Sequence, residues 1–207
     1  MSSVTGPNEL SLAELNELPE PAARRVLASC CSAGSWVDAI VSGRGYSSVD
    51  RLLAQSDKAV AGLTPSQLGD ALAGHPRIGD RRAASAPGWS AQEQAGVFAG
   101  DAAAESGSAG FGSAGFGSAG SGSAGSGSAR AAADDGLAAA LAEGNAEYER
   151  RFGHIYLVCA TGKSGQELLA ILHERLGNDR DTEWKVVAAE LAKINQIRLR
   201  KLLGAQP

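Results

Sequence analysis

Apolar positions recur at three- and four-residue intervals along most of this 207-residue chain, and alternating strand-like stretches are almost absent. That period belongs to helices that bury one face. Ser11 with Glu14 forms a capping box for a short first helix ending near Pro19. Ala23, Val26, Leu27 and Cys30 mark one face of a second helix, which Gly34 is expected to end. Trp36, Val37, Ile40 and Val41 predict a short apolar helix. Ser47 with Asp50 can start another, whose apolar positions Val49, Leu52, Leu53 and Val60 continue to Gly62. Thr64-Pro65-Ser66-Gln67 combines an N-cap, proline at the first helical position and glutamine three residues after the cap. Leu68, Ala71 and Leu72 carry that helix into the loop Gly74-His75-Pro76-Arg77-Ile78-Gly79-Asp80.

From Ser90 a helix is expected to run to about Glu105, where the composition changes. Residues 106–130 are five pentads of the form Ser or Phe followed by Gly-Ser-Ala-Gly, with Arg130 replacing the last glycine. Glycine and serine bury too little surface to offset their ordering entropy, so this stretch predicts a flexible insertion rather than a fold-bearing repeat. A lid or docking loop is its functional alternative. Helical periodicity resumes at Leu137, Leu141, Tyr148 and Phe152, and Gly153 stops it. The apolar run Ile155-Tyr156-Leu157-Val158-Cys159-Ala160 fits a buried strand or a buried helix equally well. A helix from Ser164 uses Leu168, Leu169, Leu172 and Leu176 and stops at Gly177-Asn178; the last helix runs from about Thr182 to Leu203. The pattern predicts an all-α, single-domain multi-helix bundle spanning 1–207, with the long Gly/Ser/Ala-rich insertion as its one interruption.

Composition narrows the function classes. At 43% apolar the chain can bury a core, and its net charge of -4, with no basic stripe, argues against nucleic acid as a partner. No apolar run approaches membrane-spanning length, and the first residues lack the basic and apolar regions of a signal peptide, so a soluble cytoplasmic protein is expected. Cys30, Cys31 and Cys159 read as buried thiols.

Three residues could carry chemistry. Pro76 disfavours helical backbone at His75, which places the imidazole beyond the helix end, facing either a pocket or solvent. Ser90 and Glu93 could be only a capping box, yet a carboxylate in a first helical turn also lies near N–H groups able to bind a polar ligand. On the last helix Trp184, Val187, Leu191, Ile194 and Leu202 form a buried stripe, with Arg198 in its middle. An arginine there needs a carboxylate or a route to water. Arg200 and Lys201 read as surface charges. His154 and His173 have no metal-ligand spacing, and His173, among leucines, reads as a core or boundary residue; no metal site is predicted. Gly162-Lys163-Ser164 lacks the earlier glycine of a phosphate loop, where Leu157 stands. Cys159, in apolar surroundings, reads as an inert thiol.

The Gly-His-Pro-Arg-Ile-Gly loop, Ser90-Ala91-Gln92-Glu93-Gln94 and the C-terminal Lys-Ile-x-x-Ile-Arg-Leu segment together resemble the 2-oxo-4-hydroxy-4-carboxy-5-ureidoimidazoline (OHCU) decarboxylases, from about Leu10 to Leu203 outside the pentads. The resemblance implies an all-α bundle that forms (S)-allantoin and carbon dioxide without a cofactor, late in urate breakdown. It implies His75, Glu93 and Arg198 as catalytic residues and Pro76, Ser90 and Gln94 as substrate contacts. Ile155, Tyr156, Leu157, Val158 and Cys159 would line the pocket, with His154-Ile155 standing where many members carry Phe-Pro. The partner implied is the small-molecule substrate, and a homodimer is entertained. Two rivals stand: a lyase for another ureido compound, distinguished by supplying such compounds, and a non-catalytic helical module, distinguished by whether His75, Glu93 and Arg198 converge on one pocket.

Overall fold

The computed structural model describes residues 10–80, 89, 93, 94, 97 and 125–204, with only the backbone given for 125–131. Regular structure among these is helical throughout: α1 (Leu12–Glu17), α2 (Glu20–Ala28), α3 (Gly34–Ser42), α4 (Val49–Ala61), α5 (Pro65–Leu72), α6 (Gly125–Phe152), α7 (Gly165–Arg175) and α8 (Arg180–Leu202). No helix among the described residues is long and apolar enough to cross a membrane.

Local signals set most of the boundaries. Reciprocal capping boxes open α1 (Ser11 with Glu14), α5 (Thr64 with Gln67) and α7 (Ser164 with Glu167), and the Asp179 side chain caps α8. Three boundaries differ from the sequence reading. Gly34 opens α3 instead of closing α2, because the chain leaves α2 at Ser29. The side chain that caps α4 is Ser48, which accepts the Arg51 N–H, and not Ser47. Helix α6 already begins at Gly125, so Gly125–Arg130, read as the end of the loop, is helical; residues 106–124 lie outside the described residues. Of the helix expected over 90–105, Glu93 is helical, Gln94 lies in a turn and Val97 in a bend. His173 is exposed on α7 and so is not a core residue.

Thr64 matters more than its exposed position suggests, since α5 delivers His75. Thr64→Ala removes one acceptor of the capping box and should cost about 1 kcal/mol. The expected readout is a lower urea midpoint with an unchanged m-value.

Two apolar clusters form the core. The first joins α1–α5 to α8 through residues such as Leu15, Leu27, Trp36, Ile40, Leu52, Leu191 and Leu199. The second joins α6 and α7 through Leu141, Tyr148, Phe152, Leu168 and Leu172, with Ile78 and Val97. The run 155–160 is neither helix nor strand. Its side chains nonetheless alternate: Ile155, Leu157 and Cys159 pack on the first cluster, and Tyr156, Val158 and Ala160 on the second. Alternation with period two is the signature of extended backbone. Buried on both faces, such a segment reads in sequence as an unbroken apolar run, which is why its type was ambiguous.

Candidate active site

The site assembles where the α5 loop, the turn around Glu93, the 155–160 segment and α8 meet. Helix α5 ends at Leu72, and the His75 N–H donates to the Leu72 carbonyl at 2.9 Å as the chain turns away. The imidazole folds back so that Nδ1 lies 3.0 Å from the Ala71 carbonyl. A carbonyl only accepts, so a neutral ring carries its proton on Nδ1 and leaves the Nε2 lone pair open. Nε2 is buried and has no hydrogen-bond partner among the described residues. Burial, and then the positive charge of Arg198, push the His75 pKa down from 6.5 to about 4. At neutral pH His75 is therefore an uncharged base with its lone pair held ready.

Arg198 does not reach water. Its Nε donates to Glu93 Oε1 and its Nη2 to Glu93 Oε2, both at 2.8 Å, and its Nη1 donates to the Cys30 carbonyl at 3.0 Å. The two side chains are 4% and 9% exposed, so the pair is a buried bidentate fork. The charge that looked out of place on the apolar stripe of α8 is matched by a carboxylate from a distant segment. Gln94 is buried beside it, and its Oε1 accepts the Gly79 N–H at 3.2 Å, which joins the Glu93 turn to the His75 loop. Gly79 takes φ +82°, a conformation open to glycine, and a Cβ there would meet Leu141 Cδ1 at 3.0 Å. Arg77 points the other way, gripping Glu149 of α6 through Nε at 2.5 Å and Nη2 at 2.8 Å.

A pocket of about 380 Å³, its open mouth included, lies among these groups. His75, Pro76, Glu93 and Gln94 line it together with Tyr156, Leu157, Val158 and Cys159. Ile78, Ala160, Thr161, Ile194 and Ile197 also line it and were not singled out. Ile78 sits inside the His75 loop, and Ile194 lies on α8 one turn before Arg198, so helical spacing from Arg198 could have found it, whereas Ile197 is the chain neighbour of Arg198. Two expected residues are placed elsewhere. Ile155 packs on the first core cluster, and Arg198 stands behind Glu93, bonded to it. Ser90 lies outside the described residues.

Cys159 is buried, and burial raises its thiol pKa, as an inert thiol requires. Among the described residues no three His, Cys, Asp or Glu side chains gather as metal ligands. His154 stacks against Trp184, with ring centroids 4.3 Å apart. What the pocket offers a small polar ring is a neutral base, a carboxylate held by an arginine, and apolar walls.

Comparison with known proteins points the same way. The family model for OHCU decarboxylase matches residues 16–109 and 117–200, leaving out 110–116 within the pentads. The chain is 39% identical over 70 residues to the 2-oxo-4-hydroxy-4-carboxy-5-ureidoimidazoline decarboxylase of Amia calva, a match covering 34% of this chain and 40% of that protein. It is 40% identical over 64 residues to the uric acid degradation bifunctional protein TTL of Arabidopsis thaliana, covering 31% of this chain and 20% of that one. These matches thus span less than half the length of the curated relatives. A crystal structure of OHCU decarboxylase in the presence of (S)-allantoin superposes with a TM-score of 0.60 at 22% identity, covering 86% of this chain and 96% of that one. A crystal structure of (S)-allantoin synthase gives 0.60 at 14% identity, covering 94% and 54%. These two likenesses speak to the all-α fold, while the family model spans most of the sequence. The chain belongs to the OHCU decarboxylase family.

Proposed function

We propose that this protein decarboxylates OHCU to (S)-allantoin and carbon dioxide in urate breakdown, without a cofactor. The observation that carries the reading is His75 Nε2, a buried lone pair on a neutral imidazole lining the same pocket as the Glu93 carboxylate. The substrate bears a carboxylate and a hydroxyl on one ring carbon and an imine at the next. Loss of carbon dioxide breaks the bond to the carboxylate carbon, and its electron pair becomes the double bond between the two ring carbons. The imine π pair moves to the ring nitrogen, which takes up a proton from solvent. His75 Nε2 receives the hydroxyl proton as the ring oxygen becomes a carbonyl, and returns a proton to the carbon that bore the imine. Delivery from the His75 side alone sets the S configuration.

Glu93 accepts hydrogen bonds from ring and ureido N–H groups on the lone pairs that Arg198 leaves open, because each carboxylate oxygen can accept two. Arg198 acts through its partner. Its fork is engaged with Glu93, so it orients that carboxylate and, by its charge, keeps His75 in the basic form. An anionic substrate in the pocket would raise the His75 pKa again, strengthening the base once the reactant is bound. The meeting of His75 and Glu93 in one pocket, backed by Arg198, favours an enzyme over a helical binding module.

The test is circular dichroism of urate oxidised by urate oxidase and hydroxyisourate hydrolase, with and without this protein. The substrate decays unaided to racemic allantoin. A fast, one-handed (S)-allantoin signal is expected, and an unchanged rate and handedness would sink the reading.

A further inference from the structure

Segment 155–160 lies extended between two helical clusters with no strand beside it among the described residues, so its main-chain polar groups need partners other than a sheet. Charged side chains supply them. From α7, Arg175 Nη1 donates to the Leu157 carbonyl at 2.7 Å. The same guanidinium donates through Nε to Glu183 Oε1 of α8 at 2.9 Å. Glu183 is fully buried; the Tyr148 hydroxyl donates to its Oε1 and Asn178 Nδ2 donates to its Oε2 at 2.7 Å. From α8, Glu190 Oε2 accepts the Cys159 N–H at 2.8 Å, while Lys193 Nζ donates to Glu190 Oε1 at 2.5 Å. Lys163 Nζ donates to the Cys159 carbonyl, also at 2.8 Å.

The backbone on either side of Val158 is thus gripped from two helices by groups that are not pocket-lining residues. A buried ion pair adds little stability compared with an apolar replacement, so its use here points to a geometry being fixed rather than a fold being strengthened. Leu157, Val158 and Cys159 all line the pocket. We propose that Arg175 and Glu190 are positioning residues for the decarboxylation, clamping residues 157–159 as a pre-formed pocket wall. This rests on the reading of the pocket as the decarboxylase site. A wall displaced by about 1 Å can cost two orders of magnitude in rate.

The experiment compares wild type, Glu190→Ala, Glu190→Gln and Arg175→Lys, well below each variant's Tm. It measures kcat and KM by circular dichroism and hydrogen exchange of the Cys159 amide by NMR. Loss of a charge-assisted hydrogen bond corresponds to about tenfold or more. Glu190→Ala should therefore raise KM about tenfold and speed Cys159 exchange at least as much. Glu190→Gln retains an acceptor oxygen and should restore both nearly to wild type. Arg175→Lys keeps a donor for Leu157 but loses the fork on Glu183, and should raise KM by an intermediate factor.

A Glu190→Ala enzyme with a lower Tm but wild-type kcat and KM would overturn the proposal, since a merely structural role leaves both alone. If wild type itself forms no (S)-allantoin, the decarboxylase reading fails separately. The clamp is then judged on the Cys159 amide: protected in wild type and fast in Glu190→Ala supports it, and fast in both refutes it.

Discussion

Replacing His75 with alanine is expected to lower kcat by about two to four orders of magnitude, the usual contribution of a positioned general base. The affinity for (S)-allantoin, measured by calorimetry, should change little, because the hydrogen-bonding groups and apolar walls stay in place. The pH profile gives a second signature. His75 is held at a pKa of about 4 and acts in its neutral form, so kcat/KM should be level through neutrality and decline as pH falls through about 4. A histidine free in solution would place that decline near its ordinary value of about 6.5. The same shift makes a stability statement. With the folded pKa below the unfolded one, the unfolded chain takes up the proton first on acidification. The stabilisation is complete above pH 6.5 and is lost as pH falls from there toward about 4, and His75→Ala should flatten that part of the stability curve. A His75→Ala protein with wild-type turnover would remove His75 from the chemistry.

Local chemistry made much of this molecule legible. Ser11, Thr64 and Ser164 announce helix starts because a capping side chain acts within three residues of itself, and Pro76 frees His75 for the same short-range reason. What stayed hidden depends on distance along the chain. Nothing near Arg198 reveals that its partner is Glu93, 105 positions earlier. The pentads hid a boundary too: Gly125–Arg130 has the same composition as the preceding repeats but continues into α6, whose later turns pack on the core.

Arg175 and Glu183 show how a local rule can mislead. One lies in the last turn of α7 and the other in the first turn of α8, the ends that favour those charges at a surface. Read in isolation they are surface residues. Folded, they meet in the interior and hold the pocket segment. Segment 155–160 was ambiguous for a related reason: with both faces buried, its period cannot be seen until the two clusters on either side of it are known.

The second large effect is expected at the Glu93–Arg198 pair. Arg198→Ala leaves the Glu93 carboxylate buried without its cation and takes the donor from the Cys30 carbonyl. Breaking one partner of a buried pair typically costs about 3–5 kcal/mol, so the urea midpoint should fall well below wild type. Turnover should fall with it, because Glu93 loses the fork that orients it. Loss of activity in a destabilised protein does not by itself reveal a functional role, so the decisive variant is the double replacement Glu93→Leu with Arg198→Met. Removing both charges for apolar groups of similar size is often neutral or stabilising. The double variant should recover most of the lost midpoint and still form no (S)-allantoin above the spontaneous rate. Recovery of stability without activity would mean that the pair is retained for catalysis. An active double variant would mean that the fork only fills space between α8 and the Glu93 turn.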